Sequence, residues 1–133
     1  GPQPLISPDG KQIHIVYSAS GCWTPYYALG ILTTKAGNNL LDPDSWYKSA
    51  EPVFEQSPEN KVFGTGHNSF FKSPDGTEDY ILYHARDTEV DPPGAGDVRS
   101  PRAQKISWNK NGYPEMGIPL PVTEKLPKPS GTK

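Results

Sequence analysis

Polar and apolar residues alternate along this chain in short runs, each broken by a cluster of turn formers. In residues Gln12–Ala19, Ile13, Ile15 and Tyr17 fall on one face and His14, Val16 and Ser18 on the other, the period of a β-strand. The turn before it, Ser7-Pro8-Asp9-Gly10, has Pro to preset φ and Gly to take positive φ. The same turn and strand recur at Ser73-Pro74-Asp75-Gly76 and Asp79-Tyr80-Ile81-Leu82-Tyr83-His84-Ala85, without a gap and at an offset of 66 residues. Turn residues, strand residues and the Tyr-x-Ala ending all keep register, as they do in a repeated supersecondary unit.

The pattern predicts two such units. The first has strands at Gln3–Ile6, Gln12–Ala19 and residues 26–34, with an outer strand drawn from residues 46–48 and 52–54. The second has strands at residues 67–72, 79–84 and 102–108, a two-residue hairpin turn at Asn111-Gly112, and a fourth strand near residues 113–118. Four antiparallel strands per unit describe a propeller blade, so an all-β chain is expected. Residues 1–56 make one blade, 57–65 a linker, 66–122 a second blade and 123–133 a flexible tail carrying no site. Residues 87–101, rich in Pro, Gly and Asp, form a long loop of the kind that is usually functional or disordered.

Composition supports sheet. Only 33% of the 133 residues are hydrophobic, while 16 Pro and 13 Gly suit many turns and leave little for helices. Seven Tyr, three Trp and four Phe in alternating runs argue against a disordered chain. A formal charge of −2 with both signs scattered leaves no basic face for nucleic acid. No apolar run approaches the roughly 18 residues needed to span a bilayer, and no signal peptide is visible. The single cysteine, Cys22, has no intrachain partner and reads as a small buried residue.

Tyr17-Ser18-Ala19-Ser20-Gly21-Cys22-Trp23-Thr24, Gly66-His67-Asn68-Ser69-Phe70, Tyr83-His84-Ala85-Arg86 and Arg102-Ala103-Gln104-Lys105-Ile106 occur in that order. In these segments the chain resembles family 43 glycoside hydrolases, five-bladed β-propellers that act on arabinose- and xylose-containing polysaccharides. The pattern is most similar to the arabinofuranosidases and arabinanases. The resemblance implies two of five blades, the fourth and fifth, in a C-terminal portion. It further implies three essential carboxylates: an Asp base in the first blade, an Asp in a middle blade, and a Glu acid preceding a Gly-Pro. With Gly1-Pro2 at the start, that Glu is expected just before Gly1; Gly1-Pro2 also matches the remnant left by a processing protease.

Inverting hydrolysis needs an acid and a base roughly 6.5–9.5 Å apart, so no catalytic residue is expected in this chain, which alone should be inactive. Glu51, Glu55, Glu59, Asp75, Glu78 and Asp79 sit on turns or linkers and read as surface charge. Asp87, Glu89, Asp91 and Asp97 lie nearer the hairpin's open end, without forming a recognisable pair.

Substrate-binding candidates are Trp23, Arg86, Cys22 and Arg102. Trp23 either stacks on a sugar ring or packs between blades. Arg86 binds sugar hydroxyls or a neighbouring carboxylate, or else forms a structural ion pair. For His84, packing is the favoured role. Arg99 and Arg102 flank Pro101, one for the pocket rim and one to cap a strand. By resemblance His67 lies on the propeller axis near a bound ion, often calcium. Calcium prefers oxygen ligands, and a histidine hydrogen-bonded into the channel is the rival reading.

The expected partner is an arabino- or xylo-oligosaccharide. Missing blades are expected on another chain or through self-association, because two blades leave open sheet faces. Extracellular location follows from the resemblance. A non-catalytic sugar-binding or propeller interaction module is the alternative, and a truncated gene product a third.

Overall fold

A computed structural model describes residues 1–133. It contains two four-stranded antiparallel sheets with sequential strand order. The first holds β1 (Gln3–Ile6), β2 (Gln12–Ala19), β3 (Ala28–Lys35) and β4 (Tyr47–Lys48); the second holds β5 (Phe63–Lys72), β6 (Asp79–Arg86), β7 (Ser100–Trp108) and β8 (Pro114–Glu115). One 3-10 turn, Pro43–Ser45, is capped by the Asp42 carboxylate on the Asp44 amide. No helix is long and apolar enough to cross a membrane.

The two Ser-Pro-Asp-Gly turns are built alike. Ser7 Oγ donates to Asp9 at 2.7 Å and accepts the Gln12 amide at 2.9 Å. Ser73 Oγ donates to Asp75 at 2.7 Å and accepts the Glu78 amide at 2.9 Å. Each serine carbonyl also takes the glycine amide at 2.8 Å, with Gly10 and Gly76 at positive φ. The repeat thus has a physical basis: one side-chain network sets the register of both hairpins.

Register decides which face is core. Leu5 pairs with His14, and Val16 with Ile31, so these side chains share the face turned to the second sheet. There they meet Leu29, Phe54, Val62, Ile81, Tyr83, Ala85, Ile106 and Met116 in one cluster. Phe54, the largest apolar side chain among its fully buried members, sets its ring edge-on to Tyr83 at 4.8 Å. The other face of the first sheet carries Ile6, Ile13, Ile15 and Tyr17, none of them fully buried. On the second sheet Phe71 and Leu82 are exposed in the same way, away from this core.

The outer strands depart from simple ladders. Residues 46–54 give only the two-residue β4, after which the chain rejoins β3 through the Leu29–Phe54 bridge. The fourth strand of the second sheet is equally short because buried Gln104 takes over from the backbone: its Nε2 donates to Met116 and Ile118 carbonyls at 2.8 and 3.2 Å. Its Oε1 accepts the Leu120 amide at 3.1 Å. The turn after β7 is wider than two residues, with Asn109 accepting from both Asn111 and Tyr113 amides. β5 starts at Phe63, four residues before the expected start at His67, with register shifts on both sides of Gly66. Residues 123–133 form no strand, but Ser130 donates its amide to Glu78 at 2.9 Å and its hydroxyl to Asp75.

His14 is fully buried where the sheets meet. Its Nε2 lies 2.8 Å from the Gly112 carbonyl, so that nitrogen carries the proton; Nδ1 lies 2.9 Å from Thr33 Oγ1. Burial pushes the His14 pKa down, opposed by the Gly112 hydrogen bond. Folding therefore favours neutral His14. The associated stability is complete above the unfolded histidine value and is lost as pH falls below about 6.5.

Urea unfolding at pH 5 and pH 7 should show lower stability at the acid end, by at most about 1.4 kcal/mol per pH unit for this proton, and His14→Gln should flatten that slope. Phe54→Ala removes this fully buried ring from the core and should cost about 3–5 kcal/mol in the same measurement.

Candidate functional site

The end of β2, the start of β3, the first half of β5 and the end of β6 meet at one edge of the two sheets. The loops 20–27 and 87–99 leave from this edge. Three polar contacts fasten β5 to the first loop and the end of β2: Gly64 N to Pro25 O at 3.1 Å, Thr65 Oγ1 to Tyr27 O at 3.5 Å, and His67 N to Ser18 Oγ at 2.7 Å. The approach is close enough to require glycine. A Cβ on Gly66 would lie 2.1 Å from the Tyr27 ring, and Gly64 takes a φ of +61° beside the Arg86 guanidinium. His67 also has positive φ, +53°, a conformation that costs a non-glycine residue energy and here is held by the Ser18 hydroxyl.

Arg86 lies beneath this edge, 1% exposed. Its Nη2 donates to the Thr24 carbonyl at 2.9 Å and more weakly to Glu89 O at 3.4 Å. Its Nη1 reaches Cys22 O at 3.5 Å and the Asp91 carboxylate at 3.4 Å, while Nε has no partner in the chain. The guanidinium thus ties the loop of the first sheet to the loop of the second. Of the two roles open to Arg86 in the sequence, these contacts are those of an ion pair with carbonyl anchors.

Trp23 lies between the two anchored residues and is 73% exposed. Its indole runs across Gly21, where a Cβ would meet ring atoms at 2.9 Å. Within this chain neither blade covers it. Tyr26 on the same loop is also exposed, an aromatic that the strand reading of residues 26–34 had absorbed. Cys22 is half-buried, rather than enclosed, and contributes its carbonyl to Arg86.

Arg102 sits on β7 opposite Tyr83, its side chain 8% exposed, and pairs with Asp87 at 2.6 Å. Arg99 pairs with Asp97 on the open loop, and that pairing holds the Asp97 carboxyl well below the usual carboxylate range. Asp87, Asp91 and Asp97 are therefore each engaged by an arginine. The sequence placed these residues near the open end but could not show this distribution.

His67 is exposed, with its ring centroid 6.2 Å from that of His84. His84 stacks on Tyr27 at 5.6 Å and 16° between planes, the packing role expected of it, and its buried Nδ1 has no partner. Burial, followed by the charge of Arg99, pushes the His84 pKa down, so a neutral imidazole is favoured. No three His, Cys, Asp or Glu side chains converge. The two imidazoles beside the Ser18 hydroxyl do not supply the oxygen-rich shell that calcium requires, so these residues alone do not fit the calcium of the resemblance. The signal for Tyr27 was indirect: a glycine at position 66 in a strand marks close approach by another group.

Comparison with known proteins gives this geometry a context. The family model "Glycosyl hydrolases family 43" matches residues 2–114. An extracellular exo-alpha-(1->5)-L-arabinofuranosidase of Streptomyces avermitilis is 40% identical over 120 residues, covering 88% of this chain and 24% of that protein. Alpha-L-arabinofuranosidase 43 of Humicola insolens is 38% identical, with 89% of this chain and 25% of that protein covered. The crystal structure of alpha-L-arabinofuranosidase from Lactobacillus brevis superposes with a TM-score of 0.83 at 37% identity, over 93% of this chain and 38% of that one. This chain thus spans about a quarter of the length of those two curated relatives, and its two sheets are propeller blades. By the family model that covers most of its length, the chain belongs to glycosyl hydrolases family 43.

Proposed function

We propose that this chain supplies two adjoining blades, fourth and fifth in order, of an extracellular hydrolase that removes α-L-arabinofuranosyl units with inversion. Residues 1–56 and 63–122 are the blades, joined through 57–62, because β5 already begins at Phe63. The acid and base carboxylates belong to the remaining blades of the propeller. The observation that carries this reading is the use of carboxylates at the open edge. Three of the four acids near this edge, Asp87, Asp91 and Asp97, each pair with an arginine. An inverting site needs a protonated acid facing a separate basic carboxylate across the scissile bond, and a carboxylate held ionised by a guanidinium cannot be that acid. What the edge offers is a wall: exposed Trp23 and Tyr26, and the imidazole of His67.

The names of the Streptomyces avermitilis and Humicola insolens relatives support arabinofuranoside as the substrate class. The open sheet faces support the larger assembly. Ile6, Ile13, Ile15 and Tyr17 on one side and Phe71 and Leu82 on the other present apolar surface at the positions where a ring would place neighbouring blades. A non-catalytic sugar-binding module is favoured by one observation, the exposure of Trp23, and differs in its outcome: binding without turnover.

Assayed alone on an aryl α-L-arabinofuranoside, the chain should show no hydrolysis. Replacing the matching segment of the Lactobacillus brevis arabinofuranosidase with this chain should give a hydrolase. Turnover by the isolated chain, or a folded but inactive chimera, would overturn the proposal.

Light scattering after size exclusion should find the isolated chain self-associated through its uncovered faces. A monodisperse monomer at high concentration would count against uncovered apolar faces.

A further inference from the structure

We infer that Arg86 is a positioning residue, whose buried guanidinium fixes Trp23 as a flat stacking platform for a pentose ring at the rim of the site. This rests on the reading that the open edge binds an arabinose-containing saccharide. It assigns Arg86 no contact with sugar.

Three observations converge on it. The carbonyls anchored by Arg86 are those of Cys22 and Thr24, the residues on either side of Trp23 in the chain. Arg86 reaches them from the end of β6, in the other sheet, so the loop cannot move relative to the second blade without breaking them. Gly21 completes the seat, since the indole lies where any side chain at that position would be, 2.9 Å from an added Cβ. The indole thus lies against Gly21 and still leaves 73% of Trp23 exposed.

The energetic arrangement is unusual for a surface loop. Burying a guanidinium is costly unless its partners are good, and here its shortest hydrogen bond, 2.9 Å, goes to the loop that exposes a tryptophan. Leaving an indole 73% exposed forgoes the burial that would otherwise stabilise the fold. A rigid aromatic surface recovers that loss when a sugar ring covers it. Because the loop is already ordered, binding does not have to order it again. Asp91 balances the charge from the loop 87–99, so the clamp joins both rims of the edge.

The test is a calorimetric binding titration of the 133-residue chain with arabinopentaose, on wild type, Trp23→Ala, Arg86→Lys, Gly21→Ala and the double variant Trp23→Ala/Arg86→Lys. Trp23→Ala is expected to weaken binding about tenfold or more, and Arg86→Lys to weaken it about tenfold. Arg86→Lys should also make Trp23 more accessible to acrylamide. In the Trp23→Ala background, Arg86→Lys should add nothing further, because its effect acts through the missing indole. Gly21→Ala, which displaces the ring without touching Arg86, should weaken binding comparably and decides the question if the Arg86 variant does not fold.

Unmeasurable binding by wild type would overturn the saccharide reading itself. Binding lost in Trp23→Ala but unchanged in Arg86→Lys and Gly21→Ala would overturn the positioning role alone. So would additive losses in the double variant.

Discussion

Backbone carbonyls left outside the strand ladders must find donors, and this chain finds them in buried side chains. Arg86 serves Thr24, His14 serves Gly112, and Gln104 serves Met116 and Ile118. Each replaces a ladder that the outer strands or loops cannot extend. The apolar cluster that includes Phe54 joins the sheets, and the Arg86 and His14 links tie a segment of one sheet to a segment of the other. Removing one such donor leaves a buried carbonyl unpaired, which costs more than the net gain from an average hydrogen bond.

The two ends of the sheets use such links differently. At the turn end, the Ser-Pro-Asp-Gly networks are local and close within a few residues, and His14 to Gly112 and Ser130 to Glu78 add contacts across the chain. At the opposite end, the contacts span the chain: Ser18 to His67, Pro25 to Gly64, Thr24 to Arg86. The first kind sets register; the second sets the relative position of loops 20–27 and 87–99. A site assembled from several loops needs the second kind, because geometry there has to survive without a continuous ladder.

Much of the fold was legible because the turn chemistry is local. Ser7 and Ser73 lie in identical short contexts, and the alternation after each predicts a strand whose register the structure keeps. β5 was harder to read. Gly64, Gly66 and His67 break the two-residue period, and the strand continues through them because positive φ at Gly64 and His67 and shifts of register absorb the extra residues. The short β8 was hidden for another reason: a glutamine side chain can stand in for a strand, and nothing in its sequence context announces it. Among site residues, Trp23 and Arg86 were found by position and type. The direction in which Arg86 points was not, since an arginine at a strand end can face a ligand or turn beneath a loop.

Irregularity in β5 is what aims this end of the molecule. A regular strand would alternate its side chains and hold its backbone at an even distance from the neighbouring sheet. The glycines instead let the strand come against Pro25 and the Tyr27 ring, and the left-handed turn at His67 leaves that side chain exposed while its amide goes to Ser18. Tyr27, drawn in over Gly66, stacks on His84 and fills the space below. The loop carrying Trp23 can then rest on β5 and on the arginine beneath it. Close backbone approach comes first, and the exposed aromatic rim is its consequence.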